Sequence, residues 1–137
     1  MDEPINLVLF SGTDDKLQAA AILTAGAAAL GKPVNIFLQY WALDAFRADR
    51  IDADHGLAPE AGSAGRTAVD ALRAAGQSSW ADTLRQAKDL GGVDIQACSL
   101  SMDLLHLEST DLDPLVDGVE GVTAFYLNAG EGQVVFI

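Results

Sequence analysis

Among 137 residues there is a single cysteine, Cys98, and its neighbours give it the strongest claim to chemistry. It follows Val93-Asp94-Ile95-Gln96-Ala97, which alternates like a strand, and precedes Ser99-Leu100-Ser101, where a helical stretch begins. A thiol at such a junction faces unpaired backbone N–H groups and the positive end of a helix dipole. Both favour the thiolate, the nucleophilic form. Ser99 and Ser101 add hydroxyl donors nearby. The competing reading is that Cys98 is a small apolar filler, the commonest role of an unpaired cysteine, and spacing alone leaves the two open. With no second cysteine, a dithiol cycle within one chain is excluded.

Other reactive side chains carry weaker patterns. His55 lies in a polar loop and His106 follows Cys98 without the ligand spacing of a zinc site, so both read as surface histidines and neither as a catalytic base. No metal or cofactor is expected. Gly31-Lys32 lacks the glycine and hydroxyl positions of a phosphate-binding loop. Asp14, Asp15 and Asp103 read as helix-start charges. Trp41 is either a pocket wall or a core aromatic.

The elements that must position these residues follow from the pattern of apolar runs. A chain of this length, half apolar, suits a single domain over residues 1–137. Ile5 to Phe10 is a nearly continuous apolar run, as expected of a strand covered on both faces. It ends at Ser11-Gly12, after which Thr13 is placed to cap an alanine-rich helix running to Leu30 and stopped by Gly31 and Pro33. Val34 to Leu38 is the second strand, followed by a helical period over Gln39 to Phe46. Ile51 to Gly65 reads as a long loop, Thr67 to Ala75 as a short weak helix, and Ser79 as the cap of another helix ending at Gly91-Gly92. Val93 to Cys98 is the third strand and Ser99 to Leu107 a helix. Val122, Phe125, Tyr126 and Ala129 share one helix face, which leaves Leu115 to Glu120 as an edge strand and Gln133 to Ile137 as the last strand. The result is five strands with helices between, a doubly wound α/β layer structure. Ligands of such sheets collect beyond the carboxyl ends of the strands. Three segments arrive there: Ser11-Gly12, Tyr40-Trp41 and Cys98-Ser99-Leu100-Ser101.

Composition narrows the partners. A net charge of −12, with only eight scattered Lys and Arg residues, argues against nucleic acid and against an anionic membrane surface. The longest apolar stretch, Ala19 to Leu30, is too short to cross a bilayer. Met1-Asp2-Glu3-Pro4 is acidic and no cleavage pattern follows it, so no leader and a cytoplasmic location are expected. Ile22, Leu23 and Ala27 extend the apolar surface of the first helix beyond one face, which points to a homo-oligomer.

Several of these segments resemble one family. Phe10-Ser11-Gly12 with Asp15-Lys16 and the alanine-rich helix ending at Gly31 resemble the start of the DsrE/DsrF/DsrH-like family. Tyr40-Trp41-Ala42-Leu43 is similar to its aromatic-Trp-Gly-Leu segment, and Gly92 to Asp103 to its cysteine signature. Gly121-Val122 and Val135-Phe136-Ile137 are also similar. The resemblance implies a three-layer α/β/α fold with a five-stranded, mostly parallel sheet, a tendency to homo-oligomers and a role in sulfur handling, with Cys98 holding a persulfide. It also implies exchange with a sulfur donor or acceptor protein, in a sulfurtransferase-like manner. Ser99, Ser101 and Trp41 are then pocket residues, with Ser11, Gly12, Tyr40 and Leu100 at the same strand ends. The sequence departs from the family in lacking a basic, methionine-rich centre over Ile51 to Arg66, and the further cysteines that some relatives carry. Two other readings stand beside this one: a non-enzymatic module binding a small ligand or partner, and thiol-dependent peroxide reduction.

Overall fold

The computed structural model describes residues 3–137; Met1 and Asp2, which open the acidic start, lie outside the described residues. Five parallel strands form one sheet: β1 (Ile5–Leu9), β2 (Val34–Leu38), β3 (Val93–Cys98), β4 (Gly118–Glu120) and β5 (Val134–Phe136), in the order β4-β3-β2-β1-β5. The helices are α1 (Asp14–Ala29), α2 (Tyr40–Ala45), α3 (Gly62–Ala74), α4 (Trp80–Leu90), α5 (Ser99–Leu104) and α6 (Val122–Ala129).

The order explains the layers. From β1 to β4 the chain steps repeatedly towards one edge, and right-handed crossovers place the connecting helices on one face. From β4 it returns across the sheet to the far side of β1, so the same handedness puts α6 on the other face. The first face is the larger core. Leu7, Leu9, Ile36, Leu38, Ile95 and Ala97 project into it and meet α1 and α4. The alanines of α1, with Ala20, Ala21 and Ala27 buried, let α4 approach closely through Trp80, Ala81 and Leu84. α1 ends as the sequence predicts: Gly31 adopts the left-handed φ of 73° and its N–H bonds Ala28 O at 3.0 Å.

The second face carries a smaller core of Phe37, Cys98 and Phe125, with Val8 packed against it. The Phe37 and Phe125 rings stack with centroids 5.0 Å apart. Beside them lies a fully buried amide. Asn6 Nδ2 donates to the carbonyls of Ala129 and Gln133, each at 3.2 Å, while Asn6 Oδ1 accepts from Asn35 Nδ2 at 3.0 Å. Asn35 Nδ2 also donates to Asn128 O at 3.2 Å. These amides therefore satisfy carbonyls at the C-terminus of α6 that no helical N–H can reach.

The structure adjusts several boundaries. The loop expected over Ile51 to Gly65 ends earlier, at a 3₁₀ turn over Pro59–Ala61, and α3 starts at Gly62 rather than near Thr67. Strands β4 and β5 are three residues each, and α5 ends at Leu104. Thr13 occupies the N-cap position of α1, yet its side chain makes no capping hydrogen bond among the described residues. Ala27 is buried in the core, whereas Ile22 and Leu23 are exposed.

Asn6→Ala removes a buried donor from two carbonyls, and a loss of about 1–3 kcal/mol is expected. The measurement is the urea unfolding midpoint, which should fall without a change in slope.

Candidate functional site

The three expected segments meet at the carboxyl edge of the sheet. Gly12 lies directly against the Trp41 backbone: a Cβ there would collide with the Trp41 carbonyl, so only glycine fits. Ala42 N–H bonds Phe10 O at 3.0 Å, holding the ends of β1 and β2 together. Tyr40 takes the left-handed φ of 44°, and its N–H donates to Ser101 Oγ at 3.1 Å. Ser101 is buried, so its hydroxyl anchors the start of α2 to α5.

Cys98 ends β3 and caps α5 with extended backbone. It is 6% exposed. Along β3, Ile95 and Ala97 enter the large core, while Cys98 joins Phe37 and Phe125 beneath α6. No capping hydrogen bond to the thiol forms among the described residues. The sulfur is thus held by apolar packing rather than by the helix start. Ser99 and Leu100 lie exposed beside it, and Trp41 is 56% exposed on the same edge. Phe10, Tyr40, Trp41 and Phe136 form a row of rings with successive centroids 4.9–5.8 Å apart. Trp41 is therefore not core filler; it belongs to an aromatic surface. Ser11 lies at the margin of that surface and accepts from Lys16 Nζ at 3.4 Å.

Two acidic residues gain roles that the sequence does not reveal. Glu120 pairs in register with Cys98 across β3 and β4. Burial, followed by the repulsion of Asp94, pushes the Glu120 carboxyl above its usual range, and a hydrogen bond from Asn128 Nδ2 at 3.2 Å partly opposes this. Only the strand register brings it beside the cysteine. Asp14, read as a helix-start charge, is instead a buried hub. Its carboxylate accepts from Trp80 Nε1 at 2.9 Å, Arg73 Nη2 at 2.7 Å and the His55 N–H at 3.0 Å. His55 is accordingly not a surface residue: it is partly buried, its Nε2 has no partner among the described residues, and its ring lies 5.9 Å from that of Trp80. Among the described residues no group of three His, Cys, Asp or Glu side chains is arranged to hold a metal. No helix among them is long and apolar enough to cross a membrane.

Residues 1–67 match the sequence profile of the DsrE/DsrF/DrsH-like family. The uncharacterised protein YrkE of Bacillus subtilis (strain 168) is 30% identical over 93% of this chain and 92% of its own length. The chain belongs to that family. Solved structures share the fold at much lower identity. The ychN protein of Escherichia coli matches over the whole of both chains with a TM-score of 0.59 at 13% identity. MTH1491 of Methanobacterium thermoautotrophicum, described as a protein of unknown function, matches over 99% of this chain and all of its own, with a TM-score of 0.54 at 14% identity. The three-layer, five-stranded architecture is therefore that of the DsrE-like proteins.

The raised Glu120 carboxyl has a consequence for stability. Below the ordinary glutamate value of about 4.3 the group is protonated in both folded and unfolded chains, and folding carries no penalty from it. As pH rises the unfolded chain ionises first, so stability falls until the raised folded value is passed. Glu120→Gln, which keeps an acceptor for Asn128, should therefore raise the urea midpoint near neutrality, with the gain vanishing at about pH 4. Urea titrations of both proteins across that range check it.

Proposed function

We propose that the protein is a sulfur carrier that holds a persulfide on Cys98. The observation that supports this reading is the placement of its one thiol at the end of β3, on the carboxyl edge of the sheet, in a chain of a family associated with sulfur relay. In the proposed cycle the Cys98 thiolate attacks a sulfane sulfur of a polysulfide donor. A Cys–S–S bond forms, the donor's S–S bond breaks, and the donor leaves as a thiolate one sulfur shorter. An acceptor thiolate then attacks the outer sulfur, and Cys98 departs as thiolate. In this cycle we assign the thiol proton to Glu120, the register partner of Cys98. The lack of a second cysteine means that the acceptor thiol comes from another molecule or another copy of the chain.

A second reading draws on the burial of the thiol in the small cluster with Phe37 and Phe125. On this reading Cys98 is packing, and the aromatic surface of Tyr40 and Trp41 is a binding surface for a small ligand or partner. One experiment separates the two. Incubation with inorganic polysulfide should add one sulfur atom to the intact mass, the addition should be absent in Cys98→Ala, and a small thiol should remove it. Failure to gain sulfur, with iodoacetamide reacting only after unfolding, would establish the binding module instead.

We also propose self-association. Ile22 and Leu23 of α1, with Leu30 just past its end, are exposed apolar residues, as are Val122, Tyr126 and Leu127 of α6. Light scattering at micromolar concentration should give a particle larger than one chain. Of Ile22→Glu and Leu127→Glu, the variant that reduces its size marks the face used; a single-chain particle in the parent protein would overturn this.

A further inference from the structure

The Cys98 thiol is buried beneath α6, and that helix is fastened at one end only. Its last turn carries the attachments. Ala129 O accepts from Asn6 Nδ2 at 3.2 Å, Asn128 O accepts from Asn35 Nδ2 at 3.2 Å, and Asn128 Nδ2 donates to Glu120 at 3.2 Å. The first turn has none of these. Gly121 occupies its N-cap position and offers no side chain to the free N–H groups there. Val122 and Thr123 are exposed, and Phe125, stacked on Phe37, is the first buried side chain of the helix. This loose end is the one beside the thiol. A Cβ on Gly121 would lie 3.7 Å from Oγ of Ser99, the residue after Cys98, and Phe125 shares the small core with Cys98 itself.

Such burial obstructs the chemistry assigned to Cys98. Attack on a sulfane sulfur, and later release of the persulfide to an acceptor, each need an open approach to the cysteine. Lifting the whole of α6 would break the amide tethers and leave the buried Asn6 donor unpaired, which is costly. Swinging the first turn alone breaks none of them. It costs the Phe37–Phe125 stack and one helical turn whose leading N–H groups already lack helical partners. Helix α3 is also lightly held, since it buries none of its described residues and Arg73 ties it to Asp14 and Asp54. It lies over the large core, however, on the face opposite the thiol.

We propose that the first turn of α6, residues 122–125, is a lid over Cys98 that swings about the tethered last turn and admits the sulfur donor and then the acceptor. The purpose of the lid rests on the sulfur-carrier reading; its motion does not, and alkylation measures the motion alone. Cys98 is the only thiol, so the intact mass after treatment with iodoacetamide follows it directly. The native protein should react more slowly than the urea-unfolded chain. Its rate should stay nearly flat at urea concentrations below the unfolding transition, because opening one turn exposes little surface. Gly121→Ser, which supplies an N-cap hydroxyl, should slow the native reaction about twofold. Phe125→Leu, which removes the stack, should speed it roughly fivefold while keeping the flat urea dependence. A native rate equal to that of the unfolded chain, a rate that climbs with the slope of global unfolding, or a rate unmoved by both variants would overturn the lid. Sulfur gain from polysulfide is read separately, so the lid and the carrier reading can fail independently.

Discussion

The handedness of the crossovers governs where everything else lies. Four strands laid down in one direction put α1, α4 and α5 on one face of the sheet, and the single reversal to β5 leaves α6 to cover the other face alone. An eight-residue helix offers few apolar contacts, and α6 buries only Phe125 and Ala129. The amides of Asn6 and Asn35 supply the missing attachment by taking up the helix's last carbonyls. The thinner layer is also the one that receives Cys98. Its thiol consequently sits beneath a cover held by one stacked aromatic pair and a few hydrogen bonds, with exposed Ser99 and Leu100 beside it.

Much of this is legible in the sequence because burial dictates it. The runs of β1 and β2, apolar but for Asn6 and Asn35, announce a two-sided sheet, and the i, i+4 spacing of buried Phe125 and Ala129 fits α6 and not a strand. The junction at Cys98 is legible for the same reason. The direction of its thiol requires one step more. Side chains alternate along β3, so if Ile95 and Ala97 face α4, Cys98 faces α6. The helix that begins after Cys98 therefore does not supply a hydrogen bond to its sulfur. A junction gives a residue its address in the chain, and strand parity gives it its surroundings.

What the sequence conceals depends on partners far along the chain. Asp14 looks like any acidic residue at a helix start, and its burial becomes visible only with Arg73 and Trp80 folded against it. Glu120 acquires its neighbour from the β3–β4 register. The start of α3 is hidden for a different reason. It begins with Gly62 and includes Gly65, and glycines disfavour a helix when only local propensity is read.

The light attachment of α3 gives the protein two levels of cooperativity. α3 buries none of its own residues and is tied down by ion pairs from Arg73 to Asp14 and Asp54 and from Arg66 to Asp54, so its opening free energy contains less of the hydrophobic term that binds α1 and α4 to the sheet. It is set instead by a few ion pairs at a partly solvated surface, which dissolved salt weakens. Segment 59–77 can therefore open and close as a unit of its own while the sheet stays intact. Ionic strength sets how often it does so, and the global stability of the domain is left almost unchanged.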